Sequence, residues 1–103
     1  MTIMENDNNI DLKFPDELTE DSITSIKSEL ETFDFKNKIE SFKSKNIGII
    51  IDLSAVSDID FFGYQHLYGF CYFIKRVLNF NDLKVEKKSE VIINFEKKYG
   101  LFI

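Results

Sequence analysis

The sequence predicts an α/β domain built on a largely parallel sheet. Three observations lead there. An apolar, β-branched run, Ile47–Leu53, is nearly continuous and reads as a strand buried on both faces. It passes through a short acidic loop into an aromatic-rich helix that Gly63 opens. Strand and helix patterns then alternate along the chain, which calls for parallel strands joined by crossover helices.

Taken in order, residues 1–9 are rich in Asn, Asp and Glu and are expected to form a disordered tail, leaving 10–103 as the domain. Ile10, Leu12 and Phe14 alternate with Asp11 and Lys13 as a half-buried strand, which Pro15 stops or bends. Asp21 or Ser22 can cap a helix whose apolar face is Ile23, Ile26, Leu30 and Phe33. Asp34 to Asn37 breaks that phase, and Ile39 and Phe42 suggest a second short helix or a kinked continuation. Tyr64 to Phe80 is the clearest helix, ended by the Asn79–Asp82 turn. Leu83, Val85 and Lys87 suggest a further strand. Ser89 caps a last helix with Val91, Ile92, Phe95 and Tyr99 on one side, stopped by Gly100.

At 103 residues the chain suits one core and not two. Apolar residues make up 44% and aromatics 15%, with eleven Phe, so there is material for a packed interior. The net charge is −5 and the thirteen basic residues are scattered, which argues against a nucleic-acid partner. No basic amphipathic face suggests a membrane surface. Phe61 to Ile74 is nearly apolar but, at about 14 residues, falls short of the ~20 that cross a bilayer. Cys71 is the only cysteine, which excludes an internal disulfide and a Cys-based zinc cluster. The polar start MTIMENDNNI does not resemble a secretory signal. A cytoplasmic, reducing setting is expected.

The acidic loop invites a metal reading, through Asp52, Asp58 and Asp60, and a comparison with phospho-accepting receiver domains. The comparison fails, because Ile10–Phe14 ends in Pro15 where an acidic pair is needed, and no lysine ends a fifth strand. Carboxylates satisfying backbone N–H groups around a tight turn are the preferred reading. His66 and Cys71 sit on one helix about 140° apart, so they form no dyad. Cys71 shares a stripe with Leu67, Ile74 and Leu78, as an inert packing thiol does. His66 has Phe62 and Phe70 at its helical neighbours and no acidic partner. The glycines at 48, 63, 69 and 100 are isolated and make no phosphate loop. No catalytic group, metal or cofactor is expected, so the chain reads as a non-enzyme.

The long helix offers the surface of interest. Leu67, Phe70, Cys71, Ile74, Val77 and Leu78 share the side expected to face the sheet. The other side carries Phe61, Phe62, Gln65, Tyr68, Tyr72 and Arg76, with Tyr64 and Phe73 at its edges. So many aromatics on a solvent face suggest an interaction site. The alternative is that they pack beneath the 34–46 segment.

Two stretches carry a family resemblance. IIIDLSAVSDIDFFGYQHL resembles the part of STAS domains, the module of anti-anti-sigma factors, in which an apolar strand ends in "DLS.V..ID" before a Ser/Thr turn, a Gly and a helix. FPDELTEDSITSIKSEL resembles the opening of the chemotaxis-associated branch of that family. The likeness spans about Asp11 to Ile103. It implies a small mixed sheet of four to five strands flanked by about four helices, and a role as a protein-binding switch. In the family a partner kinase phosphorylates a Ser or Thr between an Asp and a Gly at the helix start. Here those landmarks fall on Asp60 and Gly63, and the positions between them are Phe61 and Phe62. Ser54 and Ser57 lie nearby but off the motif. The chain also has extra residues before Ile47, where the family is short.

The resulting expectation is a cytoplasmic signalling adaptor whose phospho-switch is lost. Its contact residues would be Asp58, Asp60, Phe61, Phe62, Gly63, Gln65, Tyr68, Tyr72 and Arg76. The partner would be a switch kinase or chemotaxis component, with an accessory role to a lipid-transport ABC ATPase, or a homodimer, as the alternatives.

Overall fold

The computed structural model describes residues 1–103. Its elements are β1 Thr2–Glu5, β2 Asn9–Lys13, β3 Glu17–Leu18, α1 Glu20–Phe33, α2 Phe35–Lys45, β4 Gly48–Leu53, β5 Asp58–Ile59, α3 Phe61–Tyr72, β6 Leu83–Lys88 and α4 Glu90–Tyr99. A π-helical turn, Phe73–Val77, prolongs α3. The main sheet has the order β1-β2-β4-β6, with β1 antiparallel and the other three parallel. β3 and β5 pair separately as a short parallel ribbon. This is the predicted class: an α/β domain with a small mixed sheet and four helices.

Parallel neighbours need long crossovers. α1 and α2 carry the chain from β2 to β4, and α3 carries it from β4 to β6. In register, Ile10 lies beside Ile49 and Leu12 beside Ile51. These side chains, with Leu53 and Leu83, join Ile26, Ile39, Leu67, Ile74 and Ile92 of the helices in one core cluster. The opposite sheet face carries Asp11, Lys13, Ile50, Asp52 and Lys84, all half-buried or exposed. The expectation that Ile47–Leu53 is buried on both faces is therefore corrected. β4 alternates, because only one of its faces meets the core.

The expectation of a disordered tail over 1–9 is also corrected at Thr2–Glu5. The side-chain oxygen of Asn6 accepts from the N–H groups of Asn8 and Asn9 at 2.9 and 2.8 Å, and the Asn6 N–H donates to the Asn9 carbonyl at 3.0 Å. Asn-rich polarity here makes a hairpin turn, as Asn does when it bonds the backbone ahead of it. β1 then places Ile3 beside Leu12, and Met1 and Ile3 pack against the core.

The helix ends follow capping chemistry, with two shifts from expectation. α1 is capped at Thr19, not at Asp21 or Ser22; the Ser22 hydroxyl instead accepts the Thr19 N–H at 2.9 Å. α1 ends at Asp34, whose φ of 63° is left-handed, and this is the predicted break before α2. α3 begins at Phe61, three residues before the predicted Tyr64, because Asp60 caps it. A π turn advances the side-chain register by about one residue. Val77, expected on the core side, is 61% exposed there. The Ser89 hydroxyl accepts the Ile92 N–H at 3.3 Å, and Gly100 closes α4 with a φ of 65°, as predicted.

If β1 is part of the fold, deleting residues 1–5 exposes apolar surface at Ile3 and its neighbours. A loss of about 2 kcal/mol is expected from that area. Urea unfolding reads it directly, and an unchanged midpoint would show that β1 contributes nothing.

Candidate interaction surface

Asp60 stands at the centre of the predicted site. Its Oδ1 accepts the Gly63 N–H at 2.8 Å, capping α3, and its Oδ2 accepts the Glu20 N–H at 2.9 Å in the first turn of α1. One carboxylate thus holds two helix N-termini, where the positive dipole ends favour an anion. Gly63 is buried against β3. A Cβ at that position would lie 1.9 Å from the Leu18 carbonyl oxygen, so no other residue fits without backbone movement. Asp58 is exposed in β5, and its N–H donates to the Asp16 carbonyl at 3.1 Å. Asp52 accepts the Ser54 N–H at 2.9 Å. Burial alone would raise the Asp52 pKa, but the Ser54 hydrogen bonds, with Lys87 and Lys13, hold it below the usual value. No three His, Cys, Asp or Glu side chains converge. Ser57 hydrogen-bonds the Asp16 carbonyl through both its N–H, at 2.8 Å, and its hydroxyl, at 3.3 Å.

α1 and α3 enclose a groove of about 1020 Å³. Phe14, Ile26 and Leu67 form part of its lining and are buried, while Ile23, Lys27, Leu30 and Glu31 line it from α1. From α3 it receives Phe62, Gln65, Tyr68 and Tyr72, and Phe73 of the π turn adds to it. Phe62, Tyr68 and Tyr72 are each more than half exposed. They do not pack beneath the 34–46 segment; of the α3 aromatics, Phe70 does that, with its ring 5.4 Å from Phe35. Four of the predicted contact residues therefore share one groove. Arg76 is exposed but lies outside it.

Phe61 belongs elsewhere. Its ring meets Phe95 at 5.1 Å and Tyr99 at 4.5 Å, both edge-on, in a second aromatic cluster with α4. Tyr64, expected at the edge of the solvent side, is buried beneath that cluster, and its hydroxyl donates to Glu96 at 2.6 Å. Sequence reasoning missed Glu96 entirely. It is buried, and it also accepts from Lys88 at 2.8 Å and from the Ile103 N–H at 2.9 Å. Lys88 further donates to the Ile103 carbonyl and sits 3.9 Å from the Phe102 ring. Burial alone would raise the Glu96 pKa, but the hydrogen bonds from Lys88, Tyr64 and Ile103 prevail and lower it. Burial and the same carboxylate push the Tyr64 hydroxyl far up. The only sequence signal was an acidic residue on the apolar side of α4.

Burial pushes the Cys71 thiol up to about 11, with Lys75 opposing, which suits packing and not nucleophilic attack. His66 is exposed and lines the groove, and its Nδ1 lies 2.9 Å from the Phe62 carbonyl of its own helix. No helix is long and apolar enough to cross a membrane. No family model matches the chain, and no curated protein or solved structure is similar to it.

Removing the Asp60 carboxylate leaves two helix N–H groups without an acceptor, so Asp60→Ala should cost about 2 kcal/mol. Gly63→Ala should cost at least as much, through overpacking against Leu18, by about 2–3 kcal/mol. Chemical denaturation measures both; wild-type stability in Asp60→Ala would contradict the paired cap, and in Gly63→Ala the close approach to Leu18. Glu96 predicts an acid dependence. Its folded pKa lies below the ordinary 4.5, so its contribution is complete above that pH and disappears as pH falls through the folded value. The wild-type melting temperature should drop below pH 4.5, and Glu96→Gln should flatten that slope while lowering stability at pH 7.

Proposed function

We propose that this chain is a non-enzymatic, protein-binding regulatory module of the STAS type, acting in the cytoplasm as a signalling adaptor without a phosphorylation cycle. The observation that carries the reading is the α1–α3 groove, whose open side bears Phe62, Tyr68 and Tyr72 more than half exposed above an apolar lining. Exposed aromatics grouped in a concavity are typical anchors for a partner. Support for the family comes from the resemblance of the Ile49–Leu67 and Phe14–Leu30 segments, and from a small mixed sheet flanked by helices, the architecture that resemblance implies.

Loss of phospho-control rests on the start of α3. The two positions between Asp60 and Gly63 are Phe61 and Phe62, neither of which can accept a phosphate. An apolar pair at that point favours a standing contact over a charge-driven switch. The partner on this reading is a switch kinase or a chemotaxis component.

The test is a tagged pull-down from the native cell, with a Tyr68→Ala/Tyr72→Ala variant alongside. Both side chains are largely exposed, so the variant should fold within about 0.5 kcal/mol of wild type. A kinase or chemotaxis protein retained by wild type and lost by the variant is the expected result. An ABC ATPase with the same dependence would move the module to transport. A partner held equally by both proteins would remove the groove from the contact.

A further inference from the structure

Gly69 is the one glycine that the fold does not explain. Gly48 lies against the Asp82 side chain, Gly63 against the Leu18 carbonyl, and Gly100 has a left-handed φ of 65°. At Gly69 an added Cβ would meet nothing within 4 Å, and the backbone φ is not positive. Yet the residue sits inside α3, where glycine costs about 1 kcal/mol of helix stability relative to alanine. Folding alone favours a side chain here. Bare backbone is useful at this point when something outside the chain approaches it.

Gly69 is also part of the groove lining, one turn from Gln65 and one turn from Tyr72 and Phe73. It therefore leaves a notch in the α3 wall of the groove, between polar and aromatic side chains. Two arguments choose the occupant of that notch. Phe62, Tyr68, Tyr72 and Phe73 are between 37% and 56% exposed. With ~200 Å² for each aromatic side chain, the available aromatic area is roughly 400 Å². That is about half of the ~800 Å² that each folded partner buries in a stable interface.

The shape of the surface separates the candidates further. A second copy using the same face would set groove against groove. Two facing concavities of about 1020 Å³ leave a void, which close packing does not tolerate. A single helix is convex, about 10 Å across, and lies naturally in the trough between two others. Its apolar stripe would supply anchors one turn apart, and its closest backbone approach would fall at the notch.

We infer that the α1–α3 groove seats one amphipathic helix of a partner protein, with its closest approach to this chain at Gly69. The inference rests on the proposed role of the groove and specifies the kind of element that fills it. It makes stability and binding diverge at one position. Gly69→Ala and Gly69→Leu add helix propensity at a position where an added Cβ meets nothing within 4 Å, so both should melt at or above the wild-type temperature. Leu fills the notch and should displace the occupant.

The probe is a phage-displayed library of randomised helix-forming peptides selected on the wild-type protein. The selected sequences are then titrated as synthetic peptides into wild type, Gly69→Leu and Tyr68→Ala/Tyr72→Ala. Expected are peptides with apolar residues at helical spacing that bind Gly69→Leu at least about tenfold more weakly, a change of about 1.4 kcal/mol. Failure to enrich any helical peptide would overturn the inference. So would equal binding to Gly69→Leu. Peptides lost from the Tyr68/Tyr72 variant but kept by Gly69→Leu would defeat the helix seating and leave the groove as a contact surface. Peptides indifferent to both variants would defeat the groove as well. Sedimentation of the protein alone closes the remaining case: a wild-type dimer that Gly69→Leu dissociates makes the occupant a second copy and refutes a partner helix.

Discussion

The Asp60 carboxylate accepts one N–H from the first turn of α1 and one from the first turn of α3, although Glu20 and Asp60 lie 40 residues apart. A single anion between two positive helix ends stabilises both and fixes where they begin relative to one another. Gly63 removes the slack, since its Cα lies against the Leu18 carbonyl with no room for a side chain. β3 and β5, a parallel pair of two residues each, hold the same corner from the other side. The spacing of α1 and α3, and so the groove between them, depends on this joint. Asp60 and Gly63 thus each have a structural role in this fold, one as a shared cap and the other as a close backbone contact.

A second constraint divides the aromatics of α3. Glu96 gathers Lys88, Tyr64 and the Ile103 N–H around one buried carboxylate. Such a pair is stabilising only when the remaining hydrogen-bond capacity is filled, and here three donors fill it. The network seats Tyr64 inward and brings α4 close enough for Phe95 and Tyr99 to pack on Phe61. Phe62, one residue further along the helix, turns to the groove instead. Neighbouring phenylalanines at the start of α3 therefore belong to different surfaces. One packs on α4, and the other is exposed in the α1–α3 groove.

Much of the architecture was legible because it depends on local chemistry. Periodicity marks β2, α1 and α4, a continuous apolar run marks β4, the break at Asp34 is visible as a loss of phase, and Ser89 and Gly100 mark the ends of α4. The errors share a different cause. Polarity predicts a disordered tail, but Asn6 closes a hairpin through specific bonds that composition does not reveal. An ideal helical wheel places Val77 inward, and the π turn rotates it out. The same wheel places Tyr64 near solvent, because its partner, Glu96, lies on another helix.

The sequence by itself determined the class of the domain, the alternation of its main strands and helices, the aromatic character of α3 and the presence of Phe at positions 61 and 62 before Gly63. These follow from residue type and spacing, which act over a few residues. Only the tertiary structure decided which of the aromatics face a common groove, that Asp60 serves two helices, that Gly69 is bare without a folding reason, and that Glu96 is a buried hub. Each of those depends on which distant segments meet. A carboxylate, a glycine or a tyrosine reads the same in sequence whether its neighbour in space is water, a backbone carbonyl or another helix.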